Sequence, residues 1–180
     1  AFFQLVEMDD QQKYFIRSMM HGSPARDAGL LIGDEILSVN GTQFSESPRK
    51  TIAGYEDHRK IYTTQVDRDE TITIGFRRTR GGPVKSVKMT VDTSLNGPDS
   101  VRKSIRNIPT GEENSIGYIH LWDFMSRETA SILKNALKKE LQNSKALIID
   151  LRGRGGKVMV INMIARTLKN EKRPIALLID

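Results

Sequence analysis

The stretch that most constrains the fold is ALIIDLRGRGGKV, from Ala146 to Val158. It begins with a short, uninterrupted apolar run, which is typical of a strand buried on both faces. The run ends at Arg152, and a glycine-rich segment leads into apolar residues from Met159 to Leu168, whose spacing suits a well-buried helix. The sequence therefore predicts a strand, a tight turn and a helix. Backbone N–H groups at such a helix start bind a phosphate, a carboxylate or the oxyanion of an acyl-transfer intermediate.

The composition allows two small hydrophobic cores and excludes several kinds of site. Of the 180 residues, 38% are hydrophobic, which is enough for two small domains. No apolar run approaches the roughly 18 residues that span a bilayer, so no transmembrane segment is expected. The absence of cysteine excludes disulfides, thiolate zinc sites and cysteine nucleophiles, and no spacing suggests a metal site or a cofactor. The net charge of +6 comes from scattered residues with few aromatic neighbours, so no nucleic-acid partner is expected.

Residues 1–93 are predicted to form a β-rich domain. Two short strands, in FFQLVEM and YFIRSMM, are expected to pair as a hairpin. Ser23 is a good N-cap and Gly29 a natural stop, so a helix of about two turns is expected between them. Tyr55 to Val66 is interpreted as a second helix. Two alternating stretches complete the domain as paired strands, at residues 70–77 and 84–91.

Residues 116–180 are predicted to form a partial α/β unit, and residues 94–115, which contain prolines and glycines, a linker. A strand in IGYIHLWDF precedes an amphipathic helix capped by Ser126, and a last apolar strand lies in PIALLI. Strand, helix, strand, helix, strand with these connection lengths indicates a mostly parallel sheet. His120 and Asp150 lie on neighbouring predicted strands, and we interpret them as a buried structural pair.

Motifs in both halves resemble known families. The order GSPARDAGL then IGDEILSVNG resembles a PDZ domain of the form found in bacterial proteases. GYIHLWDF, an amphipathic helix and LIIDLRGRGG, placed after such a domain, are similar to the carboxy-terminal processing (tail-specific) serine proteases. The resemblance covers nearly the whole chain. The fold that it implies is a PDZ-like β-rich domain with two helices, followed by a partial βαβαβ catalytic core.

The resemblance implies a serine endopeptidase that recognises and cleaves proteins near their C-termini. In that family the PDZ domain binds the substrate tail and gates a Ser/Lys dyad, and the turn after the DLR strand supplies an oxyanion-hole N–H. Gly156 and Gly155 match that turn and are the oxyanion-hole candidates. The family's serine follows the strand that matches RPIALLID and its lysine comes later, so the dyad is expected beyond Asp180. The chain is expected to be inactive by itself.

The resemblance also implies a peptide-binding edge on the first strand. The carboxylate-binding loop falls near Ala1 to Phe3, and the strand that follows is the edge to which a peptide adds. The peptide-binding candidates on this strand and on the second helix are Phe2, Phe3, Gln4, Leu5, His58 and Tyr62. C-terminal tails of protein substrates are the expected partners, and a homo-oligomer is left open. Bacterial members of the family imply a periplasmic, cell-envelope or secreted location.

Three alternatives stay open on the sequence alone. The first alternative is that the chain is a non-catalytic PDZ peptide-binding or scaffold module. The second is that RGRGG, together with the positive net charge, contacts RNA or a nucleotide phosphate, although the segment lacks the Walker spacing and a full GxGxxG. Finally, the glycines alone suffice to permit a tight turn between a strand and a helix.

Overall fold

Two sheets organise the chain, one in each of two units. The computed structural model describes residues 3–8, 12–52, 61–92, 94–111, 114–122, 124–152 and 155–179. The first unit is Ala1–Leu95 and the second is Asn96–Asp180. No helix among the described residues is long and apolar enough to cross a membrane.

The first unit is an antiparallel sheet with the strand order β5-β6-β1-β2-β3-β7-β8, in which β4 pairs with β3. The β1–β2 hairpin and the β7–β8 pair confirm the sequence predictions. Helix α1 lies where Ser23 and Gly29 predicted it, but it has four residues and is shorter than two turns. The elements are β1 (Phe3–Met8), β2 (Lys13–Met19), α1 (Pro24–Asp27), β3 (Glu35–Val39), β4 (Thr42–Gln43), β5 (Arg49–Ile52), β6 (Ile61–Thr64), β7 (Thr71–Arg77) and β8 (Val84–Thr90).

A buried carboxylate fixes the turn that leads into β3. Asp34 is 1% exposed, and it accepts hydrogen bonds from the Leu31 N–H at 2.8 Å and from two guanidinium nitrogens of Arg78 at 2.9 Å. The core beneath it is apolar, as the alternation of the strands predicts. Its fully buried side chains include Leu5, Ile16, Leu30, Ile36, Phe44, Ile72 and Ile74.

The second helix predicted for the first unit is wrong over residues 61–64. These residues form strand β6, which pairs with β1 on one side and β5 on the other. All four side chains are buried, and the β-branched Ile61, Thr63 and Thr64 suit a pleated sheet better than a helix. Gln65 and Val66, the last two residues of that predicted helix, are not helical either. Its first part, at residues 55–60, lies outside the described residues and includes His58.

The second unit is a four-stranded sheet with the order β12-β11-β10-β9. Strand β11 pairs in parallel with both β10 and β12, which confirms the predicted mostly parallel sheet. Strand β9 adds an antiparallel edge. The elements are α2 (Gly97–Ser104), β9 (Arg106–Pro109), β10 (Ser115–His120), α3 (Arg127–Lys138), β11 (Ala146–Asp150), α4 (Val158–Lys169) and β12 (Ile175–Leu178).

The predicted linker at residues 94–115 contains α2 and β9, so this interpretation is corrected. Pro98 lies in the first turn of α2, where a missing N–H breaks no helical hydrogen bond. Asn96 caps the helix, because its Oδ1 accepts a hydrogen bond from the Asp99 N–H at 2.9 Å. Val101 is fully buried. The glycine and proline therefore mark a helix start rather than a hinge.

Replacing Asn96 by Ala is expected to lower the free energy of unfolding of the second unit by about 1 kcal/mol, because the Asp99 N–H loses its acceptor. Asn96→Asp keeps a capping oxygen and is the matched control, with stability expected near that of the wild type. Urea denaturation followed by the fluorescence of Trp122 measures this, since Trp122 is the single tryptophan and is buried in the second unit. Equal midpoints for all three proteins would contradict a structured α2.

Candidate functional site

The turn between β11 and α4 is fixed by close contact with Phe124. Gly156 forms an isolated parallel bridge with Phe124, and the Lys157 N–H donates a hydrogen bond to the Phe124 carbonyl at 3.0 Å. A Cβ built on Gly156 would lie 2.3 Å from the Phe124 carbonyl carbon and 2.5 Å from its Cβ and O. Gly155 differs, since a Cβ there meets nothing within 4 Å. Only Gly156 is therefore required to be glycine by contact.

Gly155 and Gly156 lie exposed directly before helix α4. Within the described residues, neither Gly155 nor Gly156 donates a backbone hydrogen bond, and both residues are exposed. They precede α4, a helix of 12 residues with no acidic residue in its first turn. The positive end of the helix dipole is therefore not neutralised locally, and it favours a negatively charged group at the glycines.

The buried carboxylate of Asp150 holds Arg152, the residue at which the turn begins. Asp150 is 1% exposed. It accepts hydrogen bonds from the Tyr118 hydroxyl at 2.8 Å and from Arg152 through N, Nε and Nη2 at 3.1, 2.9 and 2.7 Å. Burial opposes ionisation, but the hydrogen bonds from Arg152 and Tyr118 outweigh it and hold the pKa of Asp150 at about 2. Burial, together with the hydrogen bond to Asp150, raises the pKa of Tyr118 to about 12.

His120 contacts the same residue from the neighbouring strand. Its Nε2 lies 2.5 Å from the carbonyl oxygen of Arg152. Its backbone N–H donates to Ser104 Oγ at 2.8 Å, and its ring lies edge-on to Trp122 with the centroids 5.8 Å apart. His120 and Asp150 are register neighbours and are both buried, as the sequence predicted. The contacts of both residues converge on Arg152.

The structure corrects part of the predicted peptide-binding set. Leu5 and Tyr62 are register partners on β1 and β6 and are buried, so they contribute to the core and not to an open edge. Strand β6 covers β1 only at Leu5 and Val6. A β-bulge in the β1–β2 pairing lies between Gln4 and Leu5, and bulges bend a strand away from its neighbours. Among the described residues, Phe3 and Gln4 have no pairing partner on β6, and Phe2 lies outside the described residues.

Three contributors to the site were not singled out from the sequence. Tyr118 lies two residues before His120, so strand alternation places both on one face, but the sequence does not show that this face meets Asp150. Arg152 was noted only as the end of the apolar run. Phe124 contributes through its backbone, and a backbone contact leaves no signal in the residue type. Among the described residues, no three His, Asp or Glu side chains lie close enough together to hold a metal ion.

Two basic residues of the predicted linker have partners within the protein. Arg102 forms ion pairs with Asp99 and Glu128. The Arg106 guanidinium lies 3.7 Å from the centroid of the Tyr118 ring and donates to the Ser104 carbonyl at 3.1 Å. Their charges thus contribute to contacts within the second unit.

Comparisons with known proteins match both units. The PDZ domain model matches residues 3–55, and the peptidase family S41 model matches residues 115–178. Carboxy-terminal processing protease CtpB of Bacillus subtilis is 26% identical over 171 residues, which cover 94% of this chain and 32% of that protein. A carboxyl-terminal-processing protease of Picosynechococcus sp. is 26% identical over 135 residues, which cover 75% of this chain and 30% of that protein.

A solved structure with the same fold is a photosystem II D1 C-terminal processing protease. It matches with a TM-score of 0.56 and 17% identity, over 92% of this chain and 42% of that chain. At this identity the match shows the fold alone. The chain spans about a third of the length of the curated relatives it matches. Its first unit is thus similar to PDZ domains, its second unit to peptidase family S41, and the chain as a whole to carboxy-terminal processing proteases.

Proposed function

We propose that this chain supplies the tail-binding and oxyanion-stabilising parts of a serine endopeptidase that cleaves proteins near their C-termini. The observation that carries the proposal is the place of Gly155 and Gly156: both are exposed, lie directly before α4 and donate no backbone hydrogen bond within the described residues, and both fall in the S41 match. Attack on a peptide bond places negative charge on the carbonyl oxygen. Backbone amides that meet this charge stabilise the transition state, and the loss of one donor costs about 2.7–4 kcal/mol.

Preorganisation supports the assignment of Gly156 as the principal donor. The bridge to Phe124 and the hydrogen bond of the next residue, Lys157, to the Phe124 carbonyl fix the backbone on the helix side. An amide held in this way needs no reorganisation when charge develops, which is the condition for large electrostatic catalysis. Gly155 is proposed as the second donor.

The nucleophile and the base are proposed to be a serine and a lysine beyond Asp180, as the family resemblance implies. Two serines near the site already have structural roles. Ser126 caps α3, because its Oγ accepts from the Glu128 N–H at 3.1 Å, and Ser131 donates to the Arg127 carbonyl at 3.4 Å. These roles support a nucleophile from outside the 180 residues.

The PDZ unit is proposed to bind the C-terminal tail of the substrate and to gate access to the dyad. The PDZ match supports tail binding. Phe3 and Gln4, which have no β6 partner among the described residues, are proposed as the place where a peptide strand adds. Because the curated relatives are carboxy-terminal processing proteases of bacteria, we also propose action in the periplasm, at the cell envelope or outside the cell.

The test uses peptides with a free, apolar C-terminus and the same peptides amidated. The 180-residue chain is expected to bind only the free-carboxylate peptides in a fluorescence titration, and not to react with a fluorophosphonate. The proposal implies a longer natural protein in which this chain is followed by the serine and the lysine, and that protein is expected to cleave the peptides and to react at one serine. If the longer protein binds these peptides but neither cleaves them nor reacts at a serine, the chain is part of a peptide-binding module and not of a protease. If the peptides are neither bound nor cleaved, the proposal is rejected.

A further inference from the structure

One short segment holds both ends of the glycine turn. On the strand side, His120 contacts the Arg152 carbonyl through Nε2 at 2.5 Å. On the helix side, Phe124 bridges Gly156 and accepts from the Lys157 N–H at 3.0 Å. His120 and Phe124 are four positions apart in the sequence. Arg152 and Gly156, the described residues on either side of positions 153 and 154, are therefore both held by contacts from this segment.

The contact between His120 and Arg152 determines which nitrogen of the imidazole carries a proton. A carbonyl oxygen is only an acceptor, so Nε2 must be the donor. This condition is met by the neutral tautomer with the proton on Nε2 and also by the imidazolium. The hydrogen bond is thus independent of whether His120 is charged.

Arg152 is held at its side chain and at its carbonyl by different strands. Asp150 on β11 binds the guanidinium through Nε and Nη2 at 2.9 and 2.7 Å, while His120 on β10 binds the carbonyl. The ring of His120 lies edge-on to the indole of Trp122, with the centroids 5.8 Å apart. These contacts leave the last residue before the turn with little freedom to rotate.

We propose that His120 is a positioning residue for the oxyanion hole: its Nε2–H holds the Arg152 carbonyl and so aims the N–H groups of Gly155 and Gly156. The positioning role in catalysis rests on the proposed peptidase function, whereas the hydrogen bond itself does not. His120 touches no reacting atom in this proposal. Its effect is on where the two amides point, and a variant without the donor is expected to keep the sheet and loosen the turn.

The hydrogen bond is tested in the 180-residue chain by NMR. His120→Phe keeps an aromatic ring beside Trp122 and removes the donor, while His120→Gln offers an amide N–H to the same carbonyl. The readout is the amide exchange rate of Lys157 divided by that of Leu147, whose N–H is bonded to the Pro174 carbonyl within the sheet. This ratio is expected to rise about tenfold in His120→Phe, which is what one net hydrogen bond sustains, and to return to within about threefold of wild type in His120→Gln.

Ser104→Ala is the matched control. It removes the acceptor of the His120 N–H without touching the turn, so it is expected to change overall stability and leave the ratio unchanged. In the wild type, long-range 1H–15N correlation at alkaline pH is expected to show the Nε2–H tautomer of His120. An Nδ1–H tautomer, or an unchanged ratio in His120→Phe, would overturn the proposal. If His120→Phe does not fold, the tautomer and the ratio in His120→Gln decide.

The catalytic role is tested in the longer natural protein. His120→Phe is expected to lower kcat for a free-carboxylate peptide about tenfold with KM changed less than about threefold, since the oxyanion exists only in the transition state, and His120→Gln is expected to restore kcat. If the wild type does not cleave the peptide, the proposed function is rejected, and the amide exchange ratio still tests the hydrogen bond. If His120→Phe raises the exchange ratio but keeps the wild-type kcat, the hydrogen bond stands and the positioning role in catalysis is overturned.

Discussion

Gly156→Ala is expected to destabilise the second unit by about 1–3 kcal/mol, because the new Cβ would overlap the Phe124 backbone and force the turn to move. Gly155→Ala is the matched control, since a Cβ there meets no atom within 4 Å. That substitution is expected to stay within about 0.5 kcal/mol of wild type or to stabilise slightly, because alanine restricts the unfolded chain. Urea denaturation followed by Trp122 fluorescence compares the two.

Catalysis is expected to separate the same two glycines. In the longer natural protein, Gly156→Ala is expected to lower kcat by on the order of 10²-fold or more, because the displaced amide no longer meets the oxyanion. Gly155→Ala keeps its N–H and is expected to retain most of the activity. Equal stability of the two variants would show that Phe124 can yield to the added methyl group. Equal kcat values would remove Gly156 as the principal donor.

Asp150→Ala is expected to cost about 1–3 kcal/mol, because it removes an acceptor of the buried Tyr118 hydroxyl and of the Arg152 guanidinium, which is 38% exposed. Glu128→Ala is the acidic control in the same unit. Its pair with Arg102 is about half exposed on both sides, so a loss of about 0–1 kcal/mol is expected. Denaturation midpoints of the two variants measure the difference, and similar losses would contradict the role assigned to Asp150.

The pH dependence of stability provides a second readout for Asp150. Its pKa in the folded chain is about 2, below the ordinary value of 3.8, so the unfolded chain takes up the proton first as the pH falls. The stabilisation is therefore complete above about pH 4 and is lost as the pH falls towards 2. Asp150→Asn is expected to make this loss shallower. A remainder is expected from Glu171, because hydrogen bonds from Arg173 lower its pKa to about 2 as well.

Local turn chemistry was the most predictable part of the fold. The helix between Ser23 and Gly29 and the strand, turn and helix around Gly155 appear where the sequence placed them, because caps, glycines and short apolar runs act over a few residues. In the predicted linker, Pro98 was ambiguous, because proline is common both in the first turn of a helix and in segments without regular secondary structure. The presence of α2 was therefore not readable from residue type alone.

Pairing between distant segments was the least predictable part. Tyr62 had helical spacing with its neighbours, but the sheet pairs it with Leu5 and buries it, and tertiary pairing overrides a local pattern of this kind. The same limit applied to the candidate site. His120 and Asp150 were identified as neighbours from their strands, whereas the contacts that join them to Arg152 depend on a register that the sequence does not specify.

The attachment of the glycine turn to a single segment has a mechanical consequence. A loop tied to two independent elements changes shape when either element moves. This turn is tied at His120 and at Phe124 to one short stretch of chain, so a shift of that stretch carries both ends together. Arg152 and Gly156 are then expected to move together, which changes the distance of the glycine amides from an incoming carbonyl oxygen. A shift at the end of β10 would thus alter how closely the oxyanion-hole donors approach the substrate.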